Sequence, residues 1–295
     1  MKPLRHVLLL LLAAVAFGQH GASPGPKPLL LWKATSGKNT AYLFGSLHVG
    51  DRSFYPLPAT VENAFAASDV LIVELDLRKV DMLATASAMI TEGMYSGGDS
   101  LWEHLSAQTR QAMEAYCKRA GLPIDMFAGM KPWLAAMTLS TLPFQMAGMD
   151  PSLGLDEHFL DEAGDKRVDS LETAEWQLSL FTSLSPEMQE QLLASTVEGH
   201  GDPIAETKEL IATWRSGDAS RIEELLHKHA DGPPELSRKL LEDRNPHMAD
   251  AIAHCLDTAG HCFMVVGAAH LVGKEGVVEL LGKRGIQVRQ MSAEK

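Results

Sequence analysis

Two copies of one short pattern place histidine where it could do chemistry. Gly45-Ser46-Leu47-His48 lies near the start of the chain and Gly267-Ala268-Ala269-His270 near its end. Each follows an apolar run of strand length, Thr40 to Phe44 and Cys262 to Val266, and a third run, Val70 to Val73, ends in Glu74. Glycine permits a sharp exit from a sheet or a close backbone approach, and a histidine three residues on can turn back over the strand ends. Neutral imidazole is the commonest ligand for borderline divalent metals. Two imidazoles and a carboxylate leave positions open for water and substrate. Such an ion acidifies water and polarises carbonyls, so hydrolysis near neutral pH is the chemistry expected of His48, Glu74 and His270. Glu74 is read either as the third ligand or as the base that takes a proton from water; spacing does not separate the two. A single Gly-x-x-His is a weak pattern, and a lone histidine is more often a hydrogen-bonded structural residue. The weight lies in the pair.

Residues so far apart can meet only in a particular fold. Leu29 to Lys33 and Thr40 to Phe44 read as two strands joined by a turn at Ser36-Gly37-Lys38-Asn39. A helix from Ala59 to Ala67 precedes Val70 to Val73, whose unbroken apolar character suits a strand buried on both faces. At the other end come the strand Cys262 to Val266, a helix near Gly276 to Leu281, and a strand from Ile286 to Met291. Both ends therefore have the plan of a βαβ unit with parallel strands. The expected class is α/β: a mixed central sheet built from N- and C-terminal βαβ units, each carrying Gly-x-x-His, with a large, mainly helical insertion over 78–257. Sites in such sheets lie at the carboxyl ends of the strands, which would bring His48, Glu74 and His270 together. Within the insertion, Gly121 closes one helix and Gly164 another, Leu155 to Ala163. Ser185-Pro186 opens a third, Gly260 ends the last, and a short strand covers Lys166 to Leu171.

The chain has 295 residues and a formal net charge of −12, which disfavours nucleic acid and anionic membrane as partners. Residues 1–22 read as a signal peptide: Lys2, Arg5 and His6, the apolar run Val7 to Phe17, then small residues up to Ala22. Residues 23–295 then form a single domain, periplasmic or secreted, with no integral membrane span in the mature chain. In an oxidising compartment the three cysteines suggest one disulfide, Cys255 with Cys262, because a helix end and a strand start can fold back across Thr258-Ala259-Gly260. Three buried thiols are the alternative. Most of the 14 methionines fall between Met82 and Met149. They read as core filler at helical spacing, with a groove for an extended apolar peptide as the alternative.

Several quoted segments resemble the opening of the TraB/GumN family, which includes the Tiki metalloproteases: Tyr42 to His48, Tyr55-Pro56-Leu57-Pro58, Ala64-Phe65 and Val73-Glu74-Leu75-Asp76. Gly154-Leu155-Asp156, Leu171-Glu172-Thr173, Arg244-Asn245 and Val266 to Gly273 continue the resemblance across almost all of the mature chain. It implies a mixed α/β fold with paired Gly-x-x-His motifs, also similar to erythromycin esterases and ChaN-like proteins. For Tiki relatives it implies metal-dependent peptide cleavage, with manganese or cobalt the usual metal; zinc also suits the ligands. On this reading Arg244 either stabilises developing negative charge or binds a carboxylate and caps the break before Pro246. Asp76, two residues after Glu74, either orients a ligand from behind or is a solvated loop residue. Glu172 and Asp156 are covered by the family motifs, but each also suits the acidic first turn of a helix. His247, His254 and His261 read as solvated or helix-terminal, His227-Lys228-His229 would place its two imidazoles on different helix faces, and His158 sits beside Glu157 and Asp161 in a charged helix. The expected activity is an exported divalent-metal hydrolase acting on peptide or protein substrates. A binding protein for haem, metal or peptide is one alternative, and a metal-free esterase with His48 as general base is another.

Overall fold

In the computed structural model, which describes residues 27–198, 201–228, 232–258 and 260–294, six strands form one sheet in the order β4-β3-β5-β2-β1-β6. They are β1 Pro28–Ser36, β2 Asn39–Ser46, β3 Val70–Val73, β4 Arg167–Ser170, β5 His261–Gly267 and β6 Gln287–Ser292. The expected signal segment lies outside the described residues. β1 and β2 pair antiparallel around a turn in which Gly37 takes a φ of 58°. β2, β5, β3 and β4 run parallel. Because β6 is antiparallel to β1, it points the same way as β2. The expected α/β fold is thus present, and β1 is the one reversed strand of the sheet.

The helices are α1 Ala59–Ala66, α2 Met82–Gly93, α3 Ala107–Ala120, α4 Pro132–Met146, α5 Leu155–Asp161, α6 Ala174–Thr182, α7 Pro186–Val197, α8 Pro203–Ser216, α9 Ala219–Lys228, α10 Pro234–Leu240, α11 Asn245–Thr258 and α12 Val277–Lys283. α1 and α12 make the two crossovers, and β4 interrupts the helices that lie between β3 and β5. Gly121 ends α3 with a left-handed cap. α5 stops earlier than expected, at Asp161. Ala163 turns tightly back onto the Leu160 carbonyl, and Gly164 belongs to the turn into β4.

Strand alternation sends side chains to two covered faces. Val70, Ile72, Cys262, Met264 and Val266 pack with Ala249, Ile252 and Leu281 of α11 and α12. Leu71, Val73, Phe263 and Val265 face Phe65 and Phe159 of α1 and α5. A third core, with Met113, Tyr116, Phe127 and Leu139, belongs to the helical insertion. Of the methionines between 82 and 149, Met113 and Met149 are buried, but Met82, Met94, Met126 and Met146 are exposed. The expectation of core filler is therefore corrected for those four, since α2 turns most of its length to solvent. Cys255 and Cys262 form a disulfide joining the end of α11 to the start of β5, and Cys117 is buried as a free thiol.

Pro143 lies inside α4. It has no N–H, so the Leu139 carbonyl loses its helical donor. The Tyr116 hydroxyl replaces it, donating to Leu139 O at 3.1 Å in a buried position. Tyr116→Phe should therefore strand a buried acceptor and cost about 1–3 kcal/mol. Urea denaturation checks this, and an unchanged midpoint would show that the carbonyl has another partner.

Candidate functional site

β2 and β5 end level, Ser46 opposite Gly267, and β3 runs beside them with Val73 opposite Val265. His48, Glu74 and His270 therefore leave the same edge of the sheet. Their meeting point is Gly267. A Cβ built there would lie 3.3 Å from His48 Nε2, 3.4 Å from Glu74 Oε1 and 3.7 Å from His270 Cδ2. The three expected residues line one small space, kept open because residue 267 has no side chain.

Each imidazole is fixed from behind. His48 Nδ1 donates to Asp156 Oδ2 at 2.9 Å, and Ser46 Oγ donates to the other oxygen, Oδ1, at 3.0 Å. Asp156 reaches this position because α5 begins against the loop that carries His48. Leu155 N donates to Leu47 O at 3.1 Å, and a Cβ on Gly154 would come within 2.4 Å of the His48 carbonyl oxygen. Only glycine allows that approach. On the other side, His270 Nδ1 donates to Asn245 Oδ1 at 2.7 Å, from the first residue of α11. With both Nδ1 atoms committed, the Nε2 atoms are the donors available to a ligand. The His48 ring is open to solvent, 64% exposed, whereas His270 is buried.

Glu74 is held harder. Its Oε1 accepts from the Gly267 N–H at 2.6 Å and its Oε2 from Arg244 Nη2 at 2.6 Å. Arg244 also donates through Nε and Nη2 to Glu172, at 2.8 and 2.7 Å, and Gln177 donates to the same Glu172 carboxylate at 2.8 Å. The guanidinium lies 5.9 Å from the centre of the Trp176 ring, a cation–π separation. Glu172 is thus a buried site carboxylate rather than a solvated residue at a helix start, and Arg244 joins two acids.

Asp76 is a correction. It is buried, but its carboxylate binds Arg78 and Lys79 at 2.9 and 3.0 Å rather than either histidine. β3 ends at Val73, so the alternation used to aim Asp76 at the site does not extend to it. His158 packs its ring between Tyr55 and Phe159, and its Nε2 is buried without a hydrogen bond. The sequence reading missed Ser46, Gln177 and Trp176 as parts of the site. Asn245 entered only as half of the Arg244-Asn245 motif.

Burial would push the Glu74 carboxyl up, but the positive charges of His270, His48 and Arg244, with the Gly267 N–H, hold it at about 2. Burial pushes His270 down to about 4, helped by Arg244 and His48 and opposed by Glu74. The neighbouring Asp156 carboxylate holds His48 well above its ordinary value. Near neutral pH the site thus presents one neutral imidazole, one imidazolium and an ionised carboxylate.

The TraB/PrgY/gumN family profile matches residues 30–290. The chain belongs to the TraB/PrgY/gumN family. It is 25% identical over 259 residues to the uncharacterized protein YbaP of Shigella flexneri, covering 83% of this chain and 89% of that protein. The YbaP protein of Escherichia coli (strain K12) matches with the same identity and coverage. An uncharacterized protein of Treponema pallidum (strain Nichols) is 20% identical over 273 residues, 88% of this chain and 81% of its own length. No solved structure matches significantly. The family match spans both Gly-x-x-His segments and Arg244-Asn245.

Protonation links this site to stability. His270 is neutral in the fold down to about pH 4 but protonates near 6.5 when unfolded. The unfolded state therefore binds more protons over that interval, and stability falls as pH drops through it. Glu74, ionised down to about pH 2 against 4.5 when unfolded, extends the loss further. Chelator-treated protein should show a steadily falling denaturation midpoint from pH 6.5 to 3. A flat profile from 6.5 to 4 would mean that His270 is not held neutral.

Proposed function

We propose that this protein is a hydrolase of carbonyl compounds, peptides before esters, working outside the cytoplasm with a divalent ion held between His48 and His270. One observation carries the reading: both imidazoles are anchored through Nδ1, and the His48 Nε2, His270 and Glu74 border the single space that Gly267 leaves open. A carboxylate or amide behind each ring is the usual support of a metal-binding histidine, so the donor set suits manganese, cobalt or zinc. Among the described residues no three acidic, histidine or cysteine groups are already arranged to hold a metal ion. The reason is local: Gly267 and Arg244 engage both oxygens of Glu74, each of which keeps a further lone pair. Bound there, an ion would polarise the substrate carbonyl and acidify water.

The side chains divide the remaining work. A carboxylate near pKa 2 is a poor proton acceptor at neutral pH, so Glu74 is better suited to orient than to act as the base. With the ion bound, His48 would give up its Nε2 proton to serve as a ligand while Nδ1 stays on Asp156, so only in the metal-free reading is it the acid–base group. Arg244 helps keep Glu74 ionised and holds both Glu74 and Glu172 in place. The exposed apolar residues of α2, Met82, Leu83 and Ile90, and Trp176 of α6 offer a surface for an apolar substrate segment. The disulfide and the N-terminal apolar run support an oxidising compartment. A second reading, a metal-free esterase with His48 and Asp156 as an acid–base pair, is favoured by the grip of Arg244 on Glu74.

Titration calorimetry with Mn²⁺ or Zn²⁺ should give about one ion per chain, as the ligand count predicts. His48→Ala and His270→Ala should each weaken binding at least about tenfold, roughly 1.4 kcal/mol. Gly267→Ala should do the same with the fold intact, because its φ of −50° suits any residue. Unchanged affinity in all three variants would overturn the ion's place. Peptide or ester turnover that survives chelator and is lost in Asp156→Asn would leave the metal-free reading standing.

A further inference from the structure

Tryptophan is highly buried on average, yet Trp176 exposes 43% of its surface beside the candidate site. Its position is fixed twice. The backbone N–H donates to the Thr173 hydroxyl oxygen at 3.2 Å, which caps α6, and the next residue, Gln177, donates to Glu172 at 2.8 Å. The start of α6 is thereby tied to the carboxylates of the site. The Arg244 guanidinium lies 5.9 Å from the indole centre, and the same guanidinium donates to Glu74 Oε2 at 2.6 Å. One guanidinium thus separates the ring from the carboxylate that borders the Gly267 space.

The ground beside the ring is apolar and nearly free of charge. α2 packs against α6 and leaves Met82, Leu83 and Ile90 exposed, with Glu92 the one charged residue between Met82 and Gly93.

We propose that Trp176 is a specificity-determining residue of this site, an inference that rests on the hydrolase reading: the preferred substrate carries a neutral aromatic side chain beside the bond that is cut. A ring already held by a helix cap and by Arg244 presents its uncovered surface with little further ordering to be lost on binding. An aromatic side chain gains the area it buries there and the offset or edge-on geometry that ring pairs favour. Lysine or arginine is disfavoured at this position, because the Arg244 guanidinium already lies against the same indole and repels a second cation. Alanine is too short to cover the ring.

Three capped tripeptide amides test this on the full chain: N-acetyl-Ala-Phe-Ala, N-acetyl-Ala-Ala-Ala and N-acetyl-Ala-Lys-Ala. Ligand-observed NMR on chelator-treated protein measures binding without turnover, and the same peptides with Mn²⁺ measure cleavage. The phenylalanine peptide should bind at least about tenfold more tightly than the alanine peptide, the equivalent of 1.4 kcal/mol, and the lysine peptide no more tightly than the alanine peptide. Trp176→Ala should bring the phenylalanine and alanine peptides within about twofold of each other, whereas Trp176→Phe should keep their order. The ratio is read within each variant, so a general loosening of Arg244 and Glu74, which weakens all three peptides alike, does not imitate loss of the ring. Should circular dichroism show Trp176→Ala unfolded, Trp176→Leu takes its place. Equal binding of the phenylalanine and alanine peptides, no binding of the phenylalanine peptide, tighter binding of the lysine peptide, or a phenylalanine preference that survives removal of the ring would overturn the role of Trp176, whether or not any peptide is cut. A preference that holds while no peptide is cut would instead leave the aromatic subsite in place and count against the hydrolase reading.

Discussion

The edge of the sheet is organised around one ionised carboxylate. Glu74 sits at the end of β3, accepts from the amide at the end of β5, and receives Arg244 from the turn before α11. Three segments separated by most of the chain are thereby fixed to one another. The group is 7% exposed in its side chain, so its charge persists only because fixed donors replace water. Removing one partner of such a buried pair strands the other and typically costs several kcal/mol. Glu172 keeps the arrangement from being a simple pair. One guanidinium serves two acids, and the excess negative charge is what a metal ion or a protonated imidazole can balance. The histidines are thus placed around a charge already held by the backbone.

Much of this was written in the sequence, for identifiable reasons. Val70 to Val73 is apolar at every position because α1, α5, α11 and α12 cover both faces, so the strand and its central place could be read directly. The paired glycines and histidines revealed the parallel register of β2 and β5, since equivalent segments must leave a sheet at equivalent heights. The partners of the histidines were harder to read. Asp156 is an ordinary acidic residue in the first turn of a helix until Gly154 lets α5 settle against the His48 loop. Glu172 suited the acidic first turn of a helix because its place in the site depends on Arg244, 72 residues on. Asp76 misled for the opposite reason: alternation was extended beyond the last strand residue, where the chain had already turned to bind Arg78 and Lys79. Ser46, Gln177 and Trp176 carry no local signal, since their roles are set by tertiary contact alone. The exposed apolar residues of α2, Met82, Leu83 and Ile90, show the same limit. Helical spacing of apolar residues predicts a buried stripe, and here that stripe is left largely uncovered.

Apart from β4, the helical insertion lies outside the sheet and adds both a third core and a second cavity. Its internal polar groups are satisfied by local devices, such as the Tyr116 hydroxyl standing in for the amide that Pro143 lacks. The insertion reaches the sheet-edge site through α5, the segment from Glu172 into α6, and the turn before α11.

The disulfide has a mechanical consequence. Helix α11 and strand β5 form an antiparallel pair closed at both ends: by the sulfur bridge at one, and by Asn245 holding His270 at the other. A 14-residue helix is about 21 Å long, so the bridge lies far from the imidazole it helps to aim. Cutting it would leave α11 held to the sheet by its buried face, Met248, Ala249, Ile252 and Leu256, and by Asn245 at the far end. The covalent clasp thus doubles a contact that packing already makes, and its loss would be felt first at the end of the helix away from the pocket.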